Sequence, residues 1–418
     1  MTALSQREAA VVMQTYLRSQ VAFASGEGSW LIDTAGDRYL DFLTGLAVVS
    51  VGHANPAVAA AVEHQMATLV HVSNLFYTEP MVDLAEALVA RAGMDRVFFA
   101  NDGATANEAA IKLARRHGQA KFGRQRFKVV SLLDSFHGRT LATLAATGQP
   151  GKQATFQPLP PGFIQVPPSD LAALDDAVDD SVAAVLLETT QGEGGVVPLA
   201  TDYLQGVRQL CDERGALLIV DDVQAGMGRT GTWFSWQQLG FEPDIATTAK
   251  ALANGLPIGV AMAGADVAAA FQPGDHATTF GGGPVVCAAA LAVIDEIERR
   301  DLLANCLERS AQLRGALADL PGVTEVRGRG LLLAARLDNA RAGEVAKSAL
   351  VDHGLIVNPV RPDSIRFAPP LTVSAAEVDE AVSRFAAALS LDSPTDGEDD
   401  RTPASQVGHP DESGFHEK

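Results

Sequence analysis

Residues 216–259, ALLIVDDVQAGMGRTGTWFSWQQLGFEPDIATTAKALANGLPIG, constrain the fold more than any other stretch of the chain. The run 216–220 is wholly apolar and ends on Asp221 and Asp222. A glycine-rich segment follows, then a short run at 244–248, with Lys250 two residues beyond it. Short apolar runs bounded by turn signals read as strands buried on both faces of a parallel sheet. In open α/β sheets, chemistry gathers at the carboxyl ends of such strands. One strand therefore delivers a carboxylate, and another an amine, to one sheet edge. That pair suits a carbonyl-bearing cofactor needing a Schiff-base lysine and an acid against a ring nitrogen.

The remaining chain supplies a scaffold for this edge. With 418 residues, two domains are expected. Strand and helix patterns alternate from Arg96: strand 97–100, helix to 116, strand 127–133, a helix after Gly138, strand 182–188 and helix 201–214. This rhythm predicts a mostly parallel sheet with helices on both faces. It changes after about residue 290 into long helical patterns (289–300, 302–320), strands at 323–326 and 331–335, a further helix, and short strands near Leu355 and Ile365. That pattern describes a smaller α+β domain. Earlier in the chain, Ser5 with Glu8 reads as a capping box before a helix to Leu17. Strands at 30–32 and 38–42 flank a hairpin turn. Asn55-Pro56 caps a helix, and residues 79–92 form another. The expected division is an N-terminal segment 1–50 packing with the small domain, a large domain 51–290, a small domain 291–391 and a disordered acidic tail 392–418.

Charge narrows the partners. The net charge is −19; the tail from Asp392 carries −6, which leaves −13 on the rest. An acidic body argues against nucleic acid and anionic membranes. An anionic ligand must then be met by local arginines, lysines and backbone N–H groups. Three widely spaced cysteines suit neither a disulfide framework nor a zinc site. The first residues lack the basic and apolar regions of a signal peptide, and no apolar run approaches the roughly 18 residues of a membrane span. A cytoplasmic protein is expected.

Several segments carry candidate chemistry. Asp102-Gly103-Ala104 lies between a strand and a helix, where backbone N–H groups and the helix dipole favour an anion; an ordinary βα turn has the same pattern. Phe136 can stack on a ring, and Arg139 can clamp a carboxylate. Glu188 and Glu193 flank Gly192, with no third ligand at metal spacing, so no metal is expected. Gly226-Met227-Gly228-Arg229-Thr230-Gly231 has dinucleotide-type glycines, but Asp221 to Ala225 separate it from the strand and no helix pattern follows. Lys250 sits in apolar surroundings that lower an amine pKa and make it a nucleophile. Thr278 and Thr279 offer hydroxyls to a phosphate. Arg366 lies within an apolar run, and a buried arginine needs a partner: a substrate carboxylate or Glu193.

Together these segments resemble the class III (omega-type) aminotransferases, a branch of the fold-type I pyridoxal-phosphate enzymes. The resemblance runs from about Asp33 to Pro370 through YLDFLTGLAVVSVGH, NLFYTEP, NDGATANEAAIKLARR, SFHGRTLATLAATGQP, QGEGGVVP, DDVQAGMGRTG, PDIATTAKAL, TTFGGGP and IRFAPPL, in family order. It implies a fold-type I α/β architecture, with a large, mostly parallel sheet domain and a smaller α+β domain. The implied cofactor is pyridoxal 5'-phosphate. Lys250 would be the Schiff-base lysine and proton shuttle, and Asp221 the partner of the ring nitrogen. Val223 and Phe136 would lie on the two ring faces and Gln224 on the ring oxygen. Gly103 and Ala104 would seat the phosphate, with Thr279 reaching it from the neighbouring subunit of a homodimer. Arg139 would hold an outer carboxylate and Arg366 the α-carboxylate of glutamate or 2-oxoglutarate, with Glu193 masking Arg366 when the donor is a terminal amine.

The implied reaction moves an amino group from an ω-amino donor to 2-oxoglutarate. N2-acetylornithine is the first expectation; ornithine, succinylornithine, 4-aminobutyrate or a pathway-specific diamine are the alternatives. Asp102, Thr105, Thr189-Thr190, Asp222, Thr248 and Gly283 depart from the family pattern. Asp102 would weaken a phosphate seat unless its side chain turns away, and a cofactor-weak, non-catalytic relative is the reading it would favour.

Overall fold

The apolar runs form strands because their buried β-branched and leucine side chains leave backbone N–H and C=O groups that only neighbouring strands can satisfy. In the computed structural model, which describes residues 3–390, seven strands make one sheet. Their order is Arg96–Ala100, Gly259–Ala263, Ile245–Thr248, Leu217–Asp221, Val182–Leu187, Lys128–Leu132 and Phe163–Val166. The last five run parallel, and Gly259–Ala263 is antiparallel to both of its neighbours. Val182–Leu187 and Leu217–Asp221 are buried throughout, as strands covered on both faces must be.

The sequence reading did not separate Gly259–Ala263 from the apolar surroundings of Lys250. Its opening glycine shows what the strand does. A Cβ at Gly259 would lie 2.0 Å from the carbonyl oxygen of Asp102, so the strand passes directly behind the Asp102–Gly103 turn.

Helix starts follow their caps. The Asn55 side chain accepts from the N–H groups of Ala57 and Val58 at the head of Pro56–Thr68. The helix after the Asp102 turn, Gly103–Phe122, runs past the expected end at residue 116, because Gly118 lets it lie against the Arg126 backbone. The N-terminal helix departs from expectation at both ends: it spans Ala3–Val11, so Ser5 lies inside it and does not cap it, and it stops well short of Leu17. Val11, Met13 and Leu17 are exposed, so no apolar face among the described residues covers them and extends the helix.

A second, antiparallel sheet of four strands holds Val323–Arg329, Leu332–Leu337, Ser364–Phe367 and Asn358–Arg361 in that order. Leu302–Ala318, Ala342–Val351 and Ala375–Leu389 are its nearby helices. The last was not singled out from sequence, although Ser374 and Glu377 form a full capping box at its head. The hairpin Trp30–Asp33/Arg38–Asp41 joins this end of the chain through Leu355–Ile356, which pairs in parallel with Arg38–Asp41. The tail expected to be disordered, 392–418, lies outside the described residues. No helix among the described residues is long and apolar enough to cross a membrane.

Candidate active site

Parallel pairing aligns the strand ends. Asp221 lies opposite Thr247 in register, and Lys250 follows three residues beyond Thr247. Both side chains line a cavity of about 390 Å³. Its wall also holds Gly103, Ala104, Phe136, Arg139, Glu193, Val223 and Gln224. Arg366 reaches it through Glu193 and Gln224. Thr279, singled out from sequence for the phosphate, lies elsewhere in its own chain, with Thr278 in a second concavity beside Ser73, Asn74 and Met81.

Asp221 is 4% exposed and held from three sides. Its Oδ2 accepts from Asn107 Nδ2 at 2.7 Å and pairs with His137 Nδ1 at 2.8 Å, while Oδ1 accepts from the Val223 N–H at 3.1 Å. Thr247 Oγ1 donates to Asn107 Oδ1 at 2.7 Å, which turns the Asn107 amide group so that it donates to Asp221. Asn107 and His137 were assigned no role from sequence. A signal for Asn107 was its position one helical turn after Gly103, which puts both on one face; His137 stood beside Phe136.

The turn at Gly103 is tight. A Cβ there would approach Val223 Cγ1 to 2.7 Å, so glycine lets the Val223 side chain and the helix N-terminus line one wall. Asp102 borders the cavity, but its carboxylate serves the helix. Oδ1 accepts from the Thr105 N–H at 2.7 Å and from Thr105 Oγ1 at 2.9 Å, and Thr105 Oγ1 in turn accepts from the Asp102 N–H. The two departures from the family pattern thus form one reciprocal cap.

Behind Glu193 and Gln224 lies Arg366, 1% exposed on the strand Ser364–Phe367. Its Nη1 meets Glu193 Oε1 at 2.6 Å and Gln224 Oε1 at 3.3 Å, and its Nε donates to Asn358 Oδ1 at 3.0 Å. Burial pushes the Glu193 carboxyl up, but Arg366, with Lys250 and Lys152 behind it, holds it below the usual value. Desolvation by the cavity walls lowers the Lys250 ammonium below the ordinary lysine value, against the charges of Glu193 and Asp221. Lys250 itself has φ +39°, a strained backbone of the kind found at functional positions. Glu188, which accepts from the N–H groups of Phe136 and Gly192, is raised by burial to about 7.

Behind the site, Asp222 is fully buried. Its Oδ2 accepts from the Ser235 N–H at 3.0 Å, and its Oδ1 has no partner. Burial raises this carboxyl from 3.8 to about 7. The folded protein therefore holds a proton there that the unfolded chain has lost, and stability falls as pH rises from about 4 to about 7. Asp222→Asn removes that slope. It is expected to raise the thermal midpoint by several degrees at pH 8 and hardly at all at pH 4, measured by thermal unfolding at both pH values. Thr248, also buried, leaves its Oγ1 unpartnered; nothing in the structure explains that substitution.

The Gly226–Gly231 segment is a loop of turns with no helix after it. It does not form the dinucleotide arrangement. Arg229, fully buried, instead donates to the carbonyls of Leu331 and Pro369 and ties the loop to the second sheet. Among the described residues, no group of His, Cys, Asp and Glu converges as metal ligands.

Residues 12–389 match the family model described as Aminotransferase class-III. The acetylornithine aminotransferase of Gloeobacter violaceus is 50% identical over 377 residues, covering 89% of this chain and 94% of that protein. The crystal structure of N-acetylornithine aminotransferase from Stenotrophomonas maltophilia K279a superposes with a TM-score of 0.78 at 36% identity, over 90% of this chain and 96% of that one. A Toxoplasma gondii ornithine aminotransferase, crystallised with oxidised glutathione and carrying PLP at partial occupancy, gives a TM-score of 0.88 at 32% identity, over 92% and 93% of the two chains.

Proposed function

This chain belongs to the class-III aminotransferases, and from that premise we propose that it transfers the amino group of N2-acetylornithine to 2-oxoglutarate, a step of arginine biosynthesis in the cytoplasm. The products are the N-acetylated semialdehyde and glutamate. The observation that carries this reading is one cavity lined by Lys250, Asp221 and Glu193, with Arg366 masked behind Glu193. It supports a site that takes a terminal amine and a dicarboxylate in turn.

The cavity fits pyridoxal 5'-phosphate. A buried carboxylate, an amine of lowered pKa, a glycine at a helix N-terminus and a buried Gln224 Nε2 without a partner are the donor set that group requires. Gly103 and Ala104 would seat its phosphate, together with the partner subunit's Thr279 in a homodimer with shared sites. Asp221 would hold the ring nitrogen, Val223 and Phe136 the ring faces, and Gln224 the ring oxygen. When bound, the cofactor supplies an electron sink for the carbon that loses its proton.

Lys250 Nζ takes that proton and returns it one position along, a task suited to an amine of lowered pKa. Asn107 and His137 keep Asp221 aimed. With acetylornithine, Arg139 holds the carboxylate and Glu193 stays on Arg366. With 2-oxoglutarate, the α-carboxylate displaces Glu193, and Arg139 holds the outer carboxylate. Neither half-reaction leaves the buried guanidinium unpaired. The division into a large domain 51–290, a small domain 291–391 and a segment 1–50 beside the small domain belongs to this reading.

A donor panel with 2-oxoglutarate as acceptor tests it. N2-acetylornithine is expected to give the highest kcat/KM among itself, ornithine, succinylornithine and 4-aminobutyrate. A higher value for another donor overturns the donor assignment, and no transfer from any donor overturns the enzymatic reading.

A further inference from the structure

We propose that Lys152 receives the Glu193 carboxylate when a substrate carboxylate takes Arg366, and that Lys152 thereby sets the affinity for 2-oxoglutarate. This rests on the function proposed above and concerns a residue that reading leaves without a role.

Arg366 cannot retreat. Its guanidinium is 1% exposed and fixed by Asn358 Oδ1, Gln224 Oε1 and the Gly192 carbonyl as well as by Glu193. The α-carboxylate of 2-oxoglutarate must therefore move Glu193, whose side chain is 29% exposed and largely shut off from water. A displaced carboxylate left without a cation in such a place costs several times more than one exposed to solvent.

Three cations act on Glu193: Arg366, Lys250 and Lys152. The first is taken by the substrate and the second by the chemistry. Lys152, in the short helix Pro150–Gln153, is half-buried, with Nζ 5.6 Å from the centroid of the Phe136 ring that lines the cavity. Among the described residues it pairs with no carboxylate within 4 Å. Its hydrogen bond is to Gln149 Oε1, a neutral group that Gln149 Nε2 anchors to the Ser135 carbonyl.

The other cations near Lys152 are committed. Arg139, 5.8 Å from the same centroid, is exposed and assigned to the outer carboxylate. Arg361 pairs with Asp134 at 2.6 Å. Burial, with Arg139 and Arg361 nearby, lowers the Lys152 ammonium, while Glu193 raises it. Movement of Glu193 toward Lys152 thus relieves both groups. A terminal-amine donor leaves Glu193 on Arg366 and makes no use of Lys152, so the effect falls on one half-reaction.

The test is titration calorimetry of 2-oxoglutarate into the enzyme loaded with pyridoxal phosphate, where the cofactor holds no amine and no turnover follows. Lys152→Met is expected to weaken binding about tenfold, the value of one charge-assisted contact. Lys152→Arg restores it. In a Glu193→Gln background, which carries no charge to relocate, Lys152→Met has no effect. In stopped-flow half-reactions the apparent affinity for the donor shifts far less than that for the acceptor. Equal weakening of donor and acceptor, or a loss that persists in the Glu193→Gln background, overturns the proposal, as does unchanged 2-oxoglutarate binding. The titration reads this outcome even if every donor in the panel fails.

Discussion

Lys250→Ala is expected to lower the rate of transamination by at least about 10⁴-fold, because on the proposed reading one side chain supplies both the attachment of the cofactor and the proton transfer. The fold should survive the change. Lys250 opens the turn Lys250–Ala253, which is secured by Leu252 and Ala253, both fully buried, and Ser50 Oγ donates to the Ala251 carbonyl. The ammonium is disfavoured where it sits: its folded pKa lies below 10.5, so its charge subtracts stability as pH falls through that folded value. Removing it should leave the thermal midpoint unchanged or higher at neutral pH. Single-turnover mixing with N2-acetylornithine, read by cofactor absorbance and paired with a thermal scan, separates chemistry from folding. A variant that folds and reacts within about a hundredfold of the parent would move the proton transfer to another group.

The same lysine shows why part of this site could be read from the chain alone. Asp221 and Lys250 end apolar runs, and a parallel sheet carries such ends to one edge whatever the intervening loops do. Glu193 and Arg366 were legible because a buried arginine must be paired, and the structure joins them at 2.6 Å. The groups that hold Asp221 were not. Asn107 lies 114 residues from it and His137 lies 84, and neither differs in type from an ordinary helix or loop polar residue. Only the packing of the helix Gly103–Phe122 across the strand ends brings them together. Propensity gave no warning of Gly259–Ala263 either, since Gly-Val-Ala-Met-Ala is a poor strand by composition and is made one by its neighbours on both sides. The N-terminal helix erred in the opposite direction. Its pattern favours helix to Leu17, but local preference without a surface to pack on does not hold the last turns.

Asp221→Asn should separate the two things that Asp221 does. The amide is nearly isosteric, so the space between Asn107, His137 and Val223 stays filled, and its oxygen can still accept one of the donors that now converge on the carboxylate. Cofactor binding should fall modestly, by less than about tenfold. The negative charge, however, is gone. On the proposed reading, an amide N–H turned toward the ring nitrogen would donate to it instead of sharing a proton, so the nitrogen would stay neutral and the electron sink would weaken. Loss of an electrostatic group aimed at developing charge typically costs 10²–10³ in kcat, and that is the expected loss. Because this stabilisation is needed in both half-reactions, the rates with acetylornithine and with 2-oxoglutarate should fall together, unlike the one-sided effect of Lys152→Met. Asp221→Ala should lose more than the amide variant, because it leaves Asn107 Nδ2 and His137 Nδ1 without an acceptor in a buried site. Half-reaction rates for both variants, with cofactor affinity measured separately, check this ordering. An Asp221→Asn enzyme with normal kcat and weakened cofactor binding would reduce Asp221 to an anchor.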